Sequence, residues 1–215
     1  MTAPPGSLIL IGQYDSPFVR RVGIALRLYG LPFEHRPWSV FGDAARIRPV
    51  NPLVRVPTLI LGDGTSLWDS HMILDYLDGL VPDDRVMVPR REPGRHRALR
   101  IAALATGLAD KAVSLFYERR LHEVSSPAWS ERCRWQAGGA IARLEAERAA
   151  APGPWWSGER IGHADIAVAC CLRFADEAHP GLVDWPSLPA LRDHCARAEA
   201  LEAFVAIRQP FVAPV

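Results

Sequence analysis

The sequence predicts an α/β domain followed by an all-helical domain. Short apolar runs rich in β-branched residues alternate with helical patterns in the first third of the chain. In the remainder, apolar residues recur at three- and four-residue spacing, and no convincing strand pattern appears. A proline-rich, charged stretch separates the two regions. We therefore predict a first domain at 1–80, a linker at 81–94 and a helical domain at 95–215.

The first strand and the first helix meet at a Ser-Pro step. Residues 8–14 form a short apolar run that predicts a buried strand. Ser16 stands before Pro17, and proline is favoured at the first position of a helix. The helix that follows has an apolar face with arginines opposite, and it ends at Gly30. Its apolar residues are Phe18, Val22, Ala25, Leu26 and Tyr29, and its arginines are Arg20, Arg21 and Arg27.

The rest of this domain reads as a strand, a hairpin and a helix. Residues 33–38 form a weaker strand, and 41–49 are either a short helix or a loop. Strands at 58–61 and 65–68 flank a glycine-rich turn, which is typical of a hairpin. The order strand, helix, strand, hairpin and helix is the layout of a thioredoxin-like domain, in which one sheet is flanked by helices.

Short polar residues mark the starts of later helices. Asp69 and Ser70 follow the hairpin and can cap the helix that ends the first domain. In the helical domain, we expect Ser130 to cap the second long helix. Gly162 and Asp165 form the pattern of a capping box before a strongly apolar segment.

Charge and composition argue against several classes of protein. Lys and Arg number 25 against 24 Asp and Glu, so the net charge of +1 creates no field favouring nucleic acid or an anionic membrane. We see no secretory leader and no apolar run near the roughly 20 residues that span a bilayer. The four cysteines lack zinc-type spacing, and we interpret them as reduced thiols of a cytoplasmic protein. We also expect no metal site, since His71, His163 and His194 show no ligand spacing.

Four motifs stand in order along the chain: Tyr14-Asp-Ser-Pro-Phe-Val-Arg-Arg, Asn51-Pro-Leu-Val-Arg-Val-Pro, Leu67-Trp-Asp-Ser-His-Met-Ile-Leu-Asp-Tyr-Leu and the segment 158–168. In order and spacing they resemble those of the glutathione S-transferase superfamily, and the similarity runs from about Leu8 to Phe204. The nearest likeness is to bacterial transferases with a Ser-Pro-Phe-Val-Arg start. This resemblance implies the glutathione S-transferase fold, glutathione as co-substrate and a two-fold homodimer.

The resemblance gives Ser16 the role of activating the glutathione thiol. Its hydroxyl and the positive end of the helix can both stabilise a thiolate. A lowering of the thiol pKa by roughly two units corresponds to about 2.7 kcal/mol, which one hydroxyl and a helix end can supply. Tyr14 and Asp15 compete for this role. The structural alternative is that Ser16 only caps the helix.

The other glutathione contacts also follow from the resemblance. Val56 and Pro57 resemble the family's cis-proline, which lets the preceding residue pair with the cysteine of glutathione; the alternative is a trans proline at an edge strand. Asp69 and Ser70 would meet the ammonium and the carboxylate of the γ-glutamyl group, or else simply cap the helix. Arg55 stands where many relatives carry Lys. Arg46 or Arg48 would reach the glycine carboxylate.

These expectations describe a detoxifying transferase that adds the glutathione thiolate to a small hydrophobic electrophile. A glutathione-dependent isomerase or dehalogenase would share the first site, and a non-enzymatic regulatory protein would keep only the fold. A cysteine-based enzyme is disfavoured because no cysteine precedes Cys133. The expected electrophile site combines Phe18 with the first long helix near Leu108, Lys111, Leu115, Phe116 and Arg119. Most such apolar residues are simply core, and the sequence does not tell which of them face the cleft.

Overall fold

The computed structural model describes residues 7–213, which form two compact units. One unit contains the chain up to Val86 together with the segment that begins at Glu202. The other runs from Met87 to Leu201. The segment from Glu202, which the sequence predicts as part of the helical domain, therefore packs with the α/β domain.

The elements follow the predicted order. The first unit carries all the strands, and the second is built of helices, with a short 3-10 turn at Trp185–Ser187. In chain order the elements are β1 (Leu8–Ile11), α1 (Pro17–Tyr29), β2 (Phe33–Arg36), α2 (Ala44–Ile47), β3 (Thr58–Ile60), β4 (Ser66–Trp68), α3 (Ser70–Asp78), α4 (Gly94–Leu121), α5 (Pro127–Ala150), α6 (His163–Ala178), α7 (Pro189–Glu199) and α8 (Glu202–Ala206).

The sheet has the strand order β2-β1-β3-β4 and is mixed. β1 pairs in parallel with β2, whereas β3 runs antiparallel to both β1 and β4. Thr58, the first residue of β3, lies opposite Ile11 at the end of β1 and opposite Trp68 at the end of β4. The predicted α/β thioredoxin-like domain and all-α domain are thus confirmed.

Two arginines of α1 contradict the prediction that they lie on a solvent face. Arg20 is 2% exposed and Arg21 is 1% exposed. The guanidinium of Arg20 donates to the carbonyls of Ile207 and Phe204 at 2.9 and 3.3 Å, and it stacks over the Phe204 ring. These carbonyls lie at the C-terminal end of α8, where the last carbonyls of a helix have no N–H partner within the helix. Arg20 supplies donors to them and thereby holds this segment on the first unit.

The predicted cap of the second long helix is also wrong. α5 begins at Pro127, and Ser126 is the cap, because its Oγ accepts the N–H of Trp129 at 3.3 Å. Ser126-Pro127 repeats the Ser-Pro pattern that opens α1. Ser130 lies one turn inside the helix.

The helical unit packs α4 against α5 and α6, and α6 is buried on almost every side. Cys133, Cys170 and Cys171 are buried free thiols, and Cys195 is a half-buried one. Among residues 7–213, no helix combines the length and the apolar character that crossing a bilayer requires.

At the start of α6 the Asp165 half of the predicted capping box is present and buried, while Gly162 has no side chain to supply the other half. Asp165 accepts the N–H groups of Gly162 and Trp156 at 2.8 and 2.9 Å. His194 of α7 packs beside it, with its Nδ1 3.8 Å from the Asp165 carboxylate, and both side chains are 0% exposed. Burial raises the pKa of Asp165 to about 6 and lowers the pKa of His194 to about 4.

These two pKa shifts have opposite effects on how the free energy of unfolding depends on pH. Replacing one residue at a time separates the two effects. His35 and His179 also have lowered pKa values and titrate in every variant, so each change is compared with that of the parent chain. Asp165 binds its proton more readily in the folded chain, so from pH 7 to pH 5 Asp165→Asn should lose about 1 to 2 kcal/mol of unfolding free energy relative to the parent. His194 binds its proton more readily in the unfolded chain, so His194→Gln should gain a similar amount relative to the parent. Urea unfolding of the three proteins at both pH values measures this. Differences from the parent that have the same sign in both variants would contradict the assignment.

Gly12, directly after β1, lies where three elements meet. Its φ is +127°, and a Cβ at this position would lie 2.5 Å from Val19 Cγ2 and 2.8 Å from Val56 Cβ. The absence of a side chain therefore lets the turn before β3 pack directly against the first turn of α1.

We expect Gly12→Ala to lower the free energy of unfolding by about 3 to 5 kcal/mol, because backbone strain adds to overpacking. Gly64→Ala is the matched control. Its φ is +87° with open space around it, so it should cost only about 1 to 2 kcal/mol. If urea unfolding showed the same loss of unfolding free energy in Gly12→Ala and Gly64→Ala, the close packing at Gly12 would contribute nothing to stability.

Candidate functional site

Three predicted site segments converge at one edge of the sheet. Because β3 is antiparallel to its neighbours, the end of β1, the start of β3 and the end of β4 lie side by side. Ser16 follows β1, Pro57 directly precedes β3, and Ser70 follows β4. The strand pairing thus brings together residues that are 54 positions apart in sequence.

The turn before β3 is held by a buried asparagine. Asn51 is 1% exposed; its amide donates to the carbonyl of Arg55 at 2.8 Å and to Thr58 Oγ1 at 3.1 Å. Its side-chain oxygen accepts the N–H of Leu53 at 3.0 Å. The Val56–Pro57 peptide bond is cis, as the resemblance implied. Sequence reasoning did not assign a role to Asn51, although Asn-Pro is a common turn signal.

Ser16 caps α1 through its side chain. Its Oγ accepts the N–H of Val19 at 3.4 Å, and its own N–H donates to the carbonyl of Gln13 at 3.2 Å. The cap uses only a lone pair of the hydroxyl oxygen, so the O–H proton can still be donated to another group. Capping and stabilisation of an anion are therefore compatible. Phe18, two residues later, is half-buried.

Tyr14 is directed along α1 and away from the helix start. Its ring stacks on His35 with centroids 3.8 Å apart, and its Cε1 lies 3.1 Å from where Gly23 would carry a Cβ. Gly23 is seven residues beyond Ser16, or roughly 10 Å along the helix. Burial raises the pKa of Tyr14 to about 12, partly offset by Arg27. A phenol in this position is a poor candidate for activating a group at Ser16.

Asp69 and Ser70 open α3 in an unusual conformation. Asp69 has φ +67°, and its Oδ1 accepts the N–H of His71 at 2.8 Å. Such a backbone state costs a non-glycine residue of order 1–3 kcal/mol and is concentrated at functional sites. Ser70 is 4% exposed, and its Oγ accepts a hydrogen bond from Arg21 at 3.3 Å.

The remaining candidate cations lie on the surface. Arg55 and Arg48 are exposed. Arg46 pairs with Asp43 at 3.0 Å and stacks over the Trp38 ring at 4.4 Å. Arg46 is therefore held in the segment between β2 and β3, in contact with an aromatic ring and a carboxylate.

Two residues expected in the electrophile site lie in the core instead. Leu108 and Leu115 are each 1% exposed. Their spacing on α4 places them on the face that packs within the helical unit, and periodicity alone did not distinguish this face from a cleft. Lys111 is half-buried, with its Nζ 5.7 Å from the Trp129 ring; Phe116 is half-buried, and Arg119 is exposed.

Arg21 is a residue of the candidate site that the sequence pattern does not reveal. The pattern predicts it opposite the apolar face of α1, but it joins α1 to the first residue of α3. A signal is present: Ile24 lies off the predicted apolar face, so the apolar surface of the helix is wider than one stripe. Between residues 7 and 213, no three His, Cys, Asp or Glu side chains are grouped to hold a metal ion.

Comparisons with known proteins agree with this architecture. The model of the glutathione S-transferase N-terminal domain matches residues 10–85, and that of the C-terminal domain matches 127–197. A glutathione S-transferase from Methylobacterium radiotolerans, solved in complex with glutathione sulfonate, is 31% identical with a TM-score of 0.86; the match covers 97% of this chain and 99% of that chain.

Two curated relatives are more distant or match over a shorter length. The uncharacterized GST-like protein YibF of Escherichia coli is 35% identical over 101 residues, 47% of this chain and 50% of YibF, so the chain spans about half the length of this relative. The maleylacetoacetate isomerase of Rattus norvegicus is 23% identical over 212 residues, 95% of each chain. With both domain models matched in order and a full-length structural likeness, this chain belongs to the glutathione S-transferase superfamily.

Proposed function

We propose that this chain is a glutathione S-transferase in which Ser16 stabilises the glutathione thiolate for attack on a small hydrophobic electrophile. The observation that carries the proposal is the convergence of the segments after β1, before β3 and after β4 at one sheet edge. Strands lie about 4.8 Å apart, so the outer two of these three segments are separated by about 10 Å. An extended tripeptide spans a similar length, about 10 Å.

Ser16 would act as a hydrogen-bond donor and not as a base. The thiol proton leaves to solvent, and the hydroxyl of Ser16 then donates to the sulfur anion. The N-terminus of α1 adds the positive end of a 13-residue helix. The thiolate attacks the electrophilic carbon, and the leaving group departs with its electron pair. Phe18, one turn or less from Ser16, is our candidate for contacting the apolar electrophile.

The rest of the tripeptide would extend along the sheet edge. Val56, before the cis Pro57, would pair through its backbone with the cysteine of glutathione. Asp69 would face the γ-glutamyl ammonium, and Ser70 with the start of α3 would face the γ-glutamyl carboxylate. Arg46 or Arg48 is the candidate for the glycine carboxylate, and Arg55, directly before Val56, is a further candidate contact.

A second candidate is a glutathione-dependent isomerase, which the full-length similarity to maleylacetoacetate isomerase favours. The two activities differ in the fate of glutathione. A transferase consumes one thiol per turnover, an isomerase returns it, and a reductive dehalogenase converts two thiols to glutathione disulfide. A regulatory protein would bind glutathione without turnover.

The test is retention on immobilised glutathione followed by turnover of a generic aryl halide, with free thiol measured alongside. We expect retention, and one thiol lost for each halide released. Retention with neither turnover nor thiol loss would favour a regulatory protein. Failure to be retained would overturn the proposal.

We extend the proposal to a cytoplasmic homodimer with a role in detoxification. Its four cysteines are free thiols, which suits a reducing compartment. The two-fold dimer is implied by the family resemblance, and light scattering would measure it.

We predict that Ser16→Ala lowers kcat/KM by roughly 10- to 100-fold and shifts its pH profile to higher pH, because the thiolate loses one charge-assisted hydrogen bond. Ser126→Ala is the matched control. It removes the same kind of Ser-Pro cap from α5 and should lose only cap stability, about 1 kcal/mol. An unshifted profile in Ser16→Ala, or the same shift in Tyr14→Phe, would refute the assignment.

We predict that Asp69→Asn raises the KM for glutathione by roughly 10-fold, because the ammonium loses a charged partner. Asparagine keeps the side-chain oxygen that caps His71 and tolerates a positive φ. Thermal unfolding should therefore be nearly unchanged. A lowered melting temperature with an unaltered KM would make Asp69 a structural cap only.

A further inference from the structure

The strongest unexplained feature of the first unit is a buried cation, Arg21, which joins α1 to the start of α3. Arg21 is 1% exposed, and its Nη1 lies 3.3 Å from Ser70 Oγ and 3.5 Å from His71 Nε2. A guanidinium is expensive to remove from water, so proteins bury one where its donors are used. Here at least one donor is used on the first turn of α3.

The direction of this hydrogen bond determines whether the Ser70 hydroxyl can donate its proton to a ligand. A guanidinium has donors and no acceptor, so the Ser70 oxygen accepts and its own proton points elsewhere. A hydroxyl that accepts from a cation is polarised and becomes a stronger donor. The first-turn N–H groups and the positive end of α3 lie at the same place. The group that matches a strong donor at a positive helix end is an anion with an oxygen acceptor.

We propose that Arg21 is a positioning residue that orients the Ser70 hydroxyl toward the α-carboxylate of the γ-glutamyl group, and so makes binding selective for peptides that carry this carboxylate. The inference rests on the proposed function, because it assigns selectivity within the same glutathione site. Arg21 acts through Ser70. Arg21 has no part in activating the thiol, which is the proposed role of Ser16.

The neighbouring Arg20 provides a matched control. It lies in the same helix, is almost as buried at 2% exposure, and also donates to oxygen acceptors. Its acceptors, however, are the carbonyls of Ile207 and Phe204 in the C-terminal segment. Replacing either arginine removes a buried cation from α1, but only one replacement removes the donor to Ser70.

The experiment compares two peptides by calorimetry: glutathione, and 4-aminobutyryl-cysteinylglycine, which lacks only the α-carboxylate. We expect the parent chain to bind glutathione more tightly than the analogue. In Arg21→Gln, glutathione binding should weaken by roughly 10-fold, the effect of losing one charge-assisted hydrogen bond, while analogue binding stays the same. Arg20→Gln should keep the parent's ratio of the two affinities. The pH profile of kcat should be the same in Arg21→Gln as in the parent.

A double variant tests whether Arg21 works through Ser70. Ser70→Ala alone should weaken glutathione binding, and adding Arg21→Gln should weaken it no further. Equal weakening of both peptides in Arg21→Gln, or additive losses in the double variant, would overturn the inference while leaving the proposed function intact. If the parent binds neither peptide, the proposed function fails and the inference fails with it. If Arg21→Gln does not fold, Arg21→Lys is tested in the same way: weaker glutathione binding with unchanged analogue binding supports the inference, and equal changes overturn it.

Discussion

The antiparallel pairing of β3 with both β1 and β4 is the constraint on which the candidate site depends. Thr58 lies opposite Ile11 on one side and Trp68 on the other, so three chain segments end at the same sheet edge. Each segment then carries its own chemistry: a serine at a helix start, a cis proline, and an Asp-Ser pair at a second helix start. A slip of one residue in either pairing would turn every side chain of the shifted strand to the other face of the sheet.

Packing around this edge joins the elements that carry the site. Gly12 permits close contact of Val56 with Val19, and Asn51 satisfies the polar groups of the turn before β3. Arg20 fixes the C-terminal segment, whereas Arg21 reaches the start of α3. The polar groups that stabilise the first unit therefore also determine where the two helix starts lie. Stability and site geometry depend on the same few contacts.

Helix capping and anion binding use the same groups in this fold. Ser16 and Asp69 each satisfy an N–H of the first turn of a helix, as a structural cap does. The Ser16 hydroxyl keeps a proton to donate, and Asp69 keeps a second carboxylate oxygen. A cap motif in a sequence is for this reason compatible with a binding role, and sequence alone does not separate the two. The positive φ of Asp69 is a structural observation that distinguishes it from an ordinary cap.

The sequence by itself determined the order of the elements, the division into α/β and helical regions, and the Ser-Pro and Asp-Ser helix starts, because these depend on local periodicity and capping chemistry. The Val-Pro position followed from the family resemblance. The sequence pattern misplaced Arg20 and Arg21, assigned the cap of α5 to Ser130, and put Leu108 and Leu115 in a cleft. Periodicity describes one helix and does not say how many of its faces are covered. The tertiary structure decided that most of α1 is buried, Arg20 and Arg21 included, that the segment from Glu202 returns to the first unit, and that Arg21 bonds to Ser70. These are contacts between residues 49 to 187 positions apart, and no local pattern encodes them.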